Sequence, residues 1–252
     1  VDFRVSDATI SVNLPDAAAL QQAVRARFRA GEGFALATIN LDHLVKLRSD
    51  AGFRAAYQAQ DFVVADGNPI VWLSRLAGRP VRLVPGSDMV MPLARLAAEE
   101  GVKVGFVGST EASLSAAAQA MQSAVPGLEI VARIAPPMGF DPSGAGADEV
   151  LEEVRASGAR LVFLALGAPK QEMLAARGRA VAPELGFASI GAGLDFLSGE
   201  QRRAPKWVRA IAMEWAWRML SAPVRLGPRY AKCFAILPGH SLRAVLARLR
   251  AR

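Results

Sequence analysis

The sequence predicts an α/β fold: a mostly parallel sheet flanked by helices, followed by a basic helical C-terminal appendage. Two patterns predict the body. Short apolar runs alternate with Ala-rich stretches of helical period through residues 1–199, the signature of βαβ units. The runs are continuously apolar, as strands buried on both faces of a parallel sheet require. Charge marks the appendage. The chain carries 30 Lys/Arg against 23 Asp/Glu, net +7, yet from Glu200 to Arg252 twelve basic residues face two acids, Glu200 and Glu214. At 252 residues the chain has room for one large domain plus an appendage. The division falls at 1–199, a body expected to fold alone, and 200–252.

The elements follow in order. Phe3-Arg-Val5 and Thr9-Ile-Ser-Val12 predict an antiparallel pair at a sheet edge. Asp16–Ala30 has helical period, and Phe34-Ala-Leu-Ala-Thr38 and Phe62–Ala65 predict strands. Met89–Glu100 predicts a helix, Lys103–Val107 a strand, Glu111–Ala124 a helix and Leu128–Ala132 a strand. Pro136 to Gly146, rich in Pro and Gly, is a loop by composition. Asp148–Ala156, Leu161–Leu166, Gln171–Ala180 and Phe187–Ile190 continue the alternation. In the tail, Trp207, Ile211, Trp215 and Met219 recur every four residues and share one helix face. Pro223 and Pro228 interrupt that pattern. Leu242, Val245, Leu246 and Leu249 line a last apolar face flanked by Arg243, Arg248 and Arg250. The tail thus reads as two short amphipathic helices. Basic residues mixed with Trp207, Trp215 and Trp217 suit an anionic membrane surface. They also suit nucleic acid or a solvated face packed on the body.

Composition excludes several classes. A 52% hydrophobic chain is not disordered. Cys233 alone forms no internal disulfide and no multi-cysteine zinc site, and His43 and His240 are too few for a His-rich metal centre. No apolar run reaches the length of a membrane span, and the opening Val-Asp-Phe-Arg lacks the order of a signal peptide. No G-x-G-x-x-G follows the first clear strand and no Walker A sequence occurs, which disfavours nicotinamide and P-loop chemistry. No D-x-D pair stands ready to hold Mg²⁺ on a diphosphate. The expectation is therefore no metal and no cofactor.

Ligands of open α/β sheets bind at the carboxyl ends of the strands. The residues that follow the predicted strands are Thr38-Ile-Asn40, Asp66-Gly67-Asn68, Gly108-Ser109-Thr110, Gly167-Ala-Pro169-Lys170-Gln171-Glu172 and Gly191-Ala-Gly193-Leu-Asp195. Together they are expected to line one crevice. Gly108 and its neighbours open a helix and suit a phosphate on backbone N–H groups, or an ordinary N-cap. Asp66 suits a general base, or an Asx-turn acceptor or helix cap. Lys170 suits a phosphate and Gln171 a base or sugar, while Glu172 suits dipole pairing in a first helical turn.

These blocks, with Arg82-Leu-Val-Pro-Gly86-Ser-Asp88, Gly199-Glu-Gln-Arg-Arg-Ala-Pro205, Glu214-Trp215, Arg218 and Arg225 to Tyr230, resemble the WecG/TagA/CpsF glycosyltransferase family. The ordered blocks run from about residue 35 to 232. The resemblance implies a Rossmann-like body and an appendage that meets the membrane. It implies inverting transfer of a hexose from a UDP-sugar donor to an undecaprenyl-diphosphate-linked sugar acceptor in bacterial surface polysaccharide synthesis. Asp66 is then the general base. Thr38, Asn40 and Gln171 match sugar-nucleotide positions, and Arg218 and Arg225 match tail arginines on the diphosphate. Arg82, Gly108, Gly167, Lys170 and Asp195 complete the expected substrate contacts. Pro228 departs from the pattern, since relatives often carry a basic residue there. The expected location is peripheral, on the inner face of the cytoplasmic membrane, as a monomer or weak homo-oligomer. Two other readings stand beside this one: a nucleotide-sugar binding or regulatory module without transfer, and a nucleic-acid-binding protein. The second lacks any helix-turn-helix or stacking platform in the sequence.

Overall fold

The computed structural model describes residues 1–201, 203–205, 207–208 and 212–250, without the side chains of Arg218, Ser221 and Arg225. Strands β1 (Asp2–Val5) and β2 (Ala8–Ser11) pair antiparallel. Phe3, Val5, Ala8 and Ile10 face inward while their neighbours face solvent, the two-residue period of a half-buried strand. The hairpin is a separate two-stranded sheet and not the edge of the main one. The chain beyond it nonetheless covers that edge. Asn13 and Leu14 donate their amides to the Val63 carbonyl, and the Asn13 side chain accepts from the Val63 amide at 2.8 Å.

The main sheet holds β3 (Phe34–Ile39), β4 (Phe62–Ala65), β5 (Val104–Gly108), β6 (Ile130–Ile134), β7 (Leu161–Ala165) and β8 (Gly186–Ser189) in the order β4-β3-β8-β7-β5-β6. Every pairing is parallel. All residues of β3, β5 and β8 are buried, which explains their largely apolar sequence. Strand β6 lies at an edge and alternates in exposure. It starts two residues later than the sequence predicts, because Leu128 is held in the turn after the preceding helix, its amide donating to the Val125 carbonyl.

The expected helices form as α1 (Ala17–Ala30), α5 (Gly86–Glu99), α6 (Glu111–Ala124), α7 (Ala145–Ala156) and α8 (Lys170–Val181). Helix α1 is bounded by Asp16, whose carboxylate accepts from the Ala19 amide, and by Gly31 in the left-handed conformation, the standard start and stop signals. Four shorter helices were not legible in the periodicity: α2 (Leu41–Leu47), α3 (Ala51–Gln58), α4 (Asn68–Leu76) and α9 (Gly193–Ser198). Leu20, Val24 and Phe28 of α1 pack with Val90 and Leu93 of α5 and Leu114 and Met121 of α6 on one face of the sheet. Helices α7 and α8 cover the other face through Leu151, Val154 and Leu174.

The tail forms α10 (Glu214–Ser221) and one long helix, α11 (Pro223–Arg250). The interruption expected at Pro223 is present, but the one expected at Pro228 is not, so the second helix is long where a short one was expected. Pro223 sits at the first position of α11, where a missing N–H is harmless, while Pro228 and Pro238 are carried inside the helix. Packing outweighs the proline penalty of about 3 kcal/mol in a helix interior. Helix α11 lies on α2 and α4 and inserts Cys233 and Ile236 into a third apolar cluster with Phe3, Ile10, Leu44 and Phe53. Further along, His240 meets the Phe3 ring at 6.0 Å, and Arg243 donates to the Arg4 carbonyl. Among the described residues no helix is long and apolar enough to cross a membrane.

Candidate active site

The carboxyl ends of β3, β4, β7 and β8 open into one cleft of about 950 Å³, closed on its far side by α10 and α11. Thr38, Asn40, Asp66, Gly167, Gln171 and Asp195 all line it. Chain topology gathers these residues: β3, β8 and β7 are neighbours, and β4 lies outside β3, so their four following loops meet over one end of the sheet.

Asp66 is pinned at the end of β4 by its amide, which donates to the Ile39 carbonyl at 2.8 Å. Gly67 then takes φ +102°, and Asn68-Pro69 begins α4. Asp66 thus immediately precedes the N-cap of α4. Its charge reaches Tyr57 behind the cleft and Arg203 in the cleft wall, raising the pKa of both. Burial is the larger cause at Tyr57, followed by the charge of Glu172. At Arg203 burial opposes the cation, and the Asp88 hydrogen bond with the charges of Asp88, Glu214 and Asp66 outweighs it.

Asn40 caps α2. Its side-chain oxygen accepts the His43 amide at 3.0 Å, which leaves its NH₂ group as donors. His43 is buried and neutral: desolvation drives its pKa down to about 3, and its Nδ1 shares a 2.6 Å hydrogen bond with the Tyr57 hydroxyl. Gln171 is buried and joins two loops. Its Nε2 donates to Glu172 Oε1 at 2.8 Å, and its Oε1 accepts the Gly191 amide at 3.1 Å. Glu172 is fully buried, and its Oε2 has no hydrogen-bond partner. Burial raises its pKa to about 7, against the smaller effects of Gln171 and Lys46. Asp195 accepts from Ser109 Oγ at 2.5 Å, Ser113 Oγ at 3.2 Å and Gln201 Nε2 at 2.8 Å. It thereby ties the loop after β5 to the start of the tail.

Other expected contacts stand elsewhere. Gly108 lies outside the cleft lining. It has φ +119°, and a Cβ there would sit 2.5 Å from the Ala165 backbone, so a side chain is excluded by strand packing. Thr110 caps α6 through the Ser113 amide. Lys170 opens α8 and Arg82 is exposed, its amide bonded to the Pro15 carbonyl; neither lines the cleft. Arg218 falls on α10 and Arg225 on α11, with side chains outside the described atoms. Ile211 of the predicted four-residue stripe is also outside the described residues. Trp215 of that stripe lines the cleft, edge-on to Tyr230 and Phe234, while Trp207 is 66% exposed.

Three cleft cations were not singled out from the sequence. Lys46 and Arg229 both pair with Asp42 at 3.0 Å, joining α2 to α11, and Lys46 also donates to the Ala168 carbonyl. Arg203 pairs with Asp88 and lies 5.7 Å from the Phe196 ring centroid. The blocks containing Arg203 and Arg229 were the available signal, but nothing in their spacing says which arginine turns inward. Among the described residues no group of three His, Cys, Asp or Glu side chains is arranged to hold a metal ion.

The sequence profile of the glycosyl transferase WecG/TagA/CpsF family matches residues 5–252. An N-acetylglucosaminyldiphosphoundecaprenol N-acetyl-beta-D-mannosaminyltransferase of Bacillus spizizenii is 27% identical over 197 residues, 77% of this chain and 74% of that protein. The fold, the cleft at the strand ends and a match spanning almost the whole sequence agree: the chain belongs to the WecG/TagA/CpsF family of glycosyltransferases.

Proposed function

We propose that the protein moves a hexose from a UDP-sugar to a saccharide carried on undecaprenyl diphosphate, with inversion and with Asp66 as general base. One observation carries this reading: Asp66 is a carboxylate fixed at a strand end, in the cleft shared by Thr38, Asn40 and Gln171. The Bacillus relative is named for transfer of an N-acetylmannosaminyl group to a diphosphoundecaprenol-linked sugar, which supports the same acceptor class here. The reaction is one displacement. Asp66 takes the proton of an acceptor hydroxyl, that oxygen bonds to the anomeric carbon, and the bond to UDP breaks on the opposite face. Asp66 must come within hydrogen-bond reach of that hydroxyl in the complex.

The departing diphosphate needs cations. The described lining offers Lys46, Arg203 and Arg229 against Asp42, Asp66, Asp195 and Glu214, so it has no positive excess. Arg218 and Arg225, on the two helices that wall the cleft, are assigned to supply it, in place of a metal. Residues 1–199 act as the nucleotide-sugar body and 200–252 as the membrane-associating appendage. Support for the appendage comes from its basic charge and from apolar side chains open to solvent, with Leu220 75% and Val224 92% exposed. Such a surface suits peripheral contact with an anionic leaflet, here the inner face of the cytoplasmic membrane.

The test is transfer from a panel of labelled UDP-sugars to a soluble lipid-diphosphate-sugar, with and without EDTA. Chelator-insensitive transfer of one sugar is expected. UDP binding without transfer from any donor overturns the enzyme reading in favour of a binding module.

A further inference from the structure

A second cavity, of about 460 Å³, lies between α4 and α11, lined by Trp72, Leu73, Arg75, Leu76, Leu237 and Ser241. Trp72 and Leu237 also line the active-site cleft, so the two cavities share walls. The helices explain the continuity. Helix α4 begins immediately after Asp66-Gly67. Trp72 and Leu76 are one turn apart on it, the first at the cleft and the second in the groove. On α11, Arg229, Cys233, Leu237 and Ser241 recur every four residues and form one stripe. Arg229 and Cys233 line the cleft, Leu237 lines both cavities and Ser241 lines the groove. At 1.5 Å per residue this stripe runs about 18 Å, from Arg229, paired with Asp42 at 3.0 Å, at the reacting end to Leu237 and Ser241 in the groove. The groove stays open: Trp72 and Leu76 are 46% and 40% exposed.

A cleft that leads from a cation into an apolar groove fits an amphiphile with an anionic head and a hydrocarbon tail. We propose that this groove holds the isoprene units that follow the first in the acceptor's polyprenyl chain, while the diphosphate lies near Arg229. The inference rests on the acceptor class assigned above. It makes the groove a determinant of acceptor affinity that is separate from the sugar pocket. Diphosphate and first isoprene are held in the cleft, and only later units reach Leu76 and Ser241.

The experiment compares two water-soluble acceptors with the same diphosphate-sugar head, one with a single isoprene and one with a farnesyl-length chain. The full chain, Leu76→Asn and Ser241→Asp are assayed, with circular dichroism to establish folding. The wild type is expected to show the lower KM for the longer acceptor. Leu76→Asn should raise that KM about tenfold, the loss of roughly one buried apolar side chain, and Ser241→Asp should raise it as well by setting a carboxylate against the hydrocarbon. KM for the single-isoprene acceptor should stay within about twofold. The proposal is overturned if wild-type KM ignores chain length or if the variants shift both acceptors equally. It is also overturned if the variants change only binding to acceptor-free phosphatidylglycerol vesicles, or only self-association in sedimentation. Calorimetric binding of farnesyl diphosphate against inorganic diphosphate reads the groove without turnover. If no acceptor is glycosylated but farnesyl diphosphate binds more tightly and Leu76→Asn removes the difference, the groove stands and the transfer reading falls. Equal binding of the two diphosphates sinks the groove whatever the transfer assay gives.

Discussion

Glu172→Gln should remove a pH-dependent weakness built into the fold. Glu172 is fully buried beside the cleft, with Oε1 accepting from Gln171 and Oε2 without a partner. Desolvation raises its pKa from 4.5 to about 7. Below pH 4.5 the carboxyl is neutral in both folded and unfolded chains, and its burial carries no charge penalty. As pH rises from there the unfolded chain gives up the proton first, so the folded state loses relative stability at about 1.4 kcal/mol per pH unit. The loss is complete once pH passes the folded value near 7, and totals about 3 kcal/mol. Glutamine keeps the acceptor for Gln171 and never ionises. Urea unfolding of wild type and variant at pH 4.5, 6 and 8 reads the effect as a difference curve. The variant should gain about 3 kcal/mol on the wild type between the first and last pH. Parallel curves, or a wild type that gains on the variant as pH rises, would show that ionising Glu172 costs the folded state nothing. Such a result would mean that water or Lys46 solvates the carboxylate in the folded state.

Two further predictions concern packing. Gly108→Ala forces a Cβ to 2.5 Å from the Ala165 backbone at φ +119°, so β5 and β7 must separate. Stability should fall by about 3 kcal/mol, and an unchanged Tm would contradict the contact. Ending the chain after Gly199 removes Cys233 and Ile236 from the cluster around Leu44 and Phe53. The shortened protein should lose about 3 kcal/mol or more and bind a hydrophobic dye, whereas ending it after His240 should retain most of the stability. Equal melting of the Gly199 truncation and the full chain would show that the body does not need α11.

Legibility followed burial. Strands β3, β5, β7 and β8 announce themselves because central parallel strands, buried on both faces, are apolar but for Thr38 and Ser189 near their carboxyl ends. Helices α2, α3, α4 and α9 did not, because each is under three turns and is buried by different neighbours along its length. Pro228 misled for a related reason. Proline's local cost is fixed, but the contacts of Cys233, Ile236 and His240 with the body are not visible in α11 itself. At the site, chain order alone put Thr38, Asn40, Asp66, Gly167, Gln171 and Asp195 together, since strand ends of one sheet must converge. What the sequence did not reveal is which groups engage one another inside the protein. Asp195 is held by Ser109, Ser113 and Gln201, and Gln171 clamps Gly191. Apart from Gln201, six positions from Asp195, those pairings join residues 20 to 86 positions apart and depend on how the loops fold over the sheet. The cleft cations Arg203 and Arg229 were equally hidden among twelve basic residues of the tail.

Whether Asp66 is the base is read by single-turnover transfer by wild type and Asp66→Asn, across pH and with saturating donor and acceptor. The variant is expected to bind UDP still, to lose about 10²- to 10⁴-fold in rate, and to lack the acidic limb of the wild-type pH profile. A variant that transfers at the wild-type rate, or keeps that limb, would contradict Asp66 as the base.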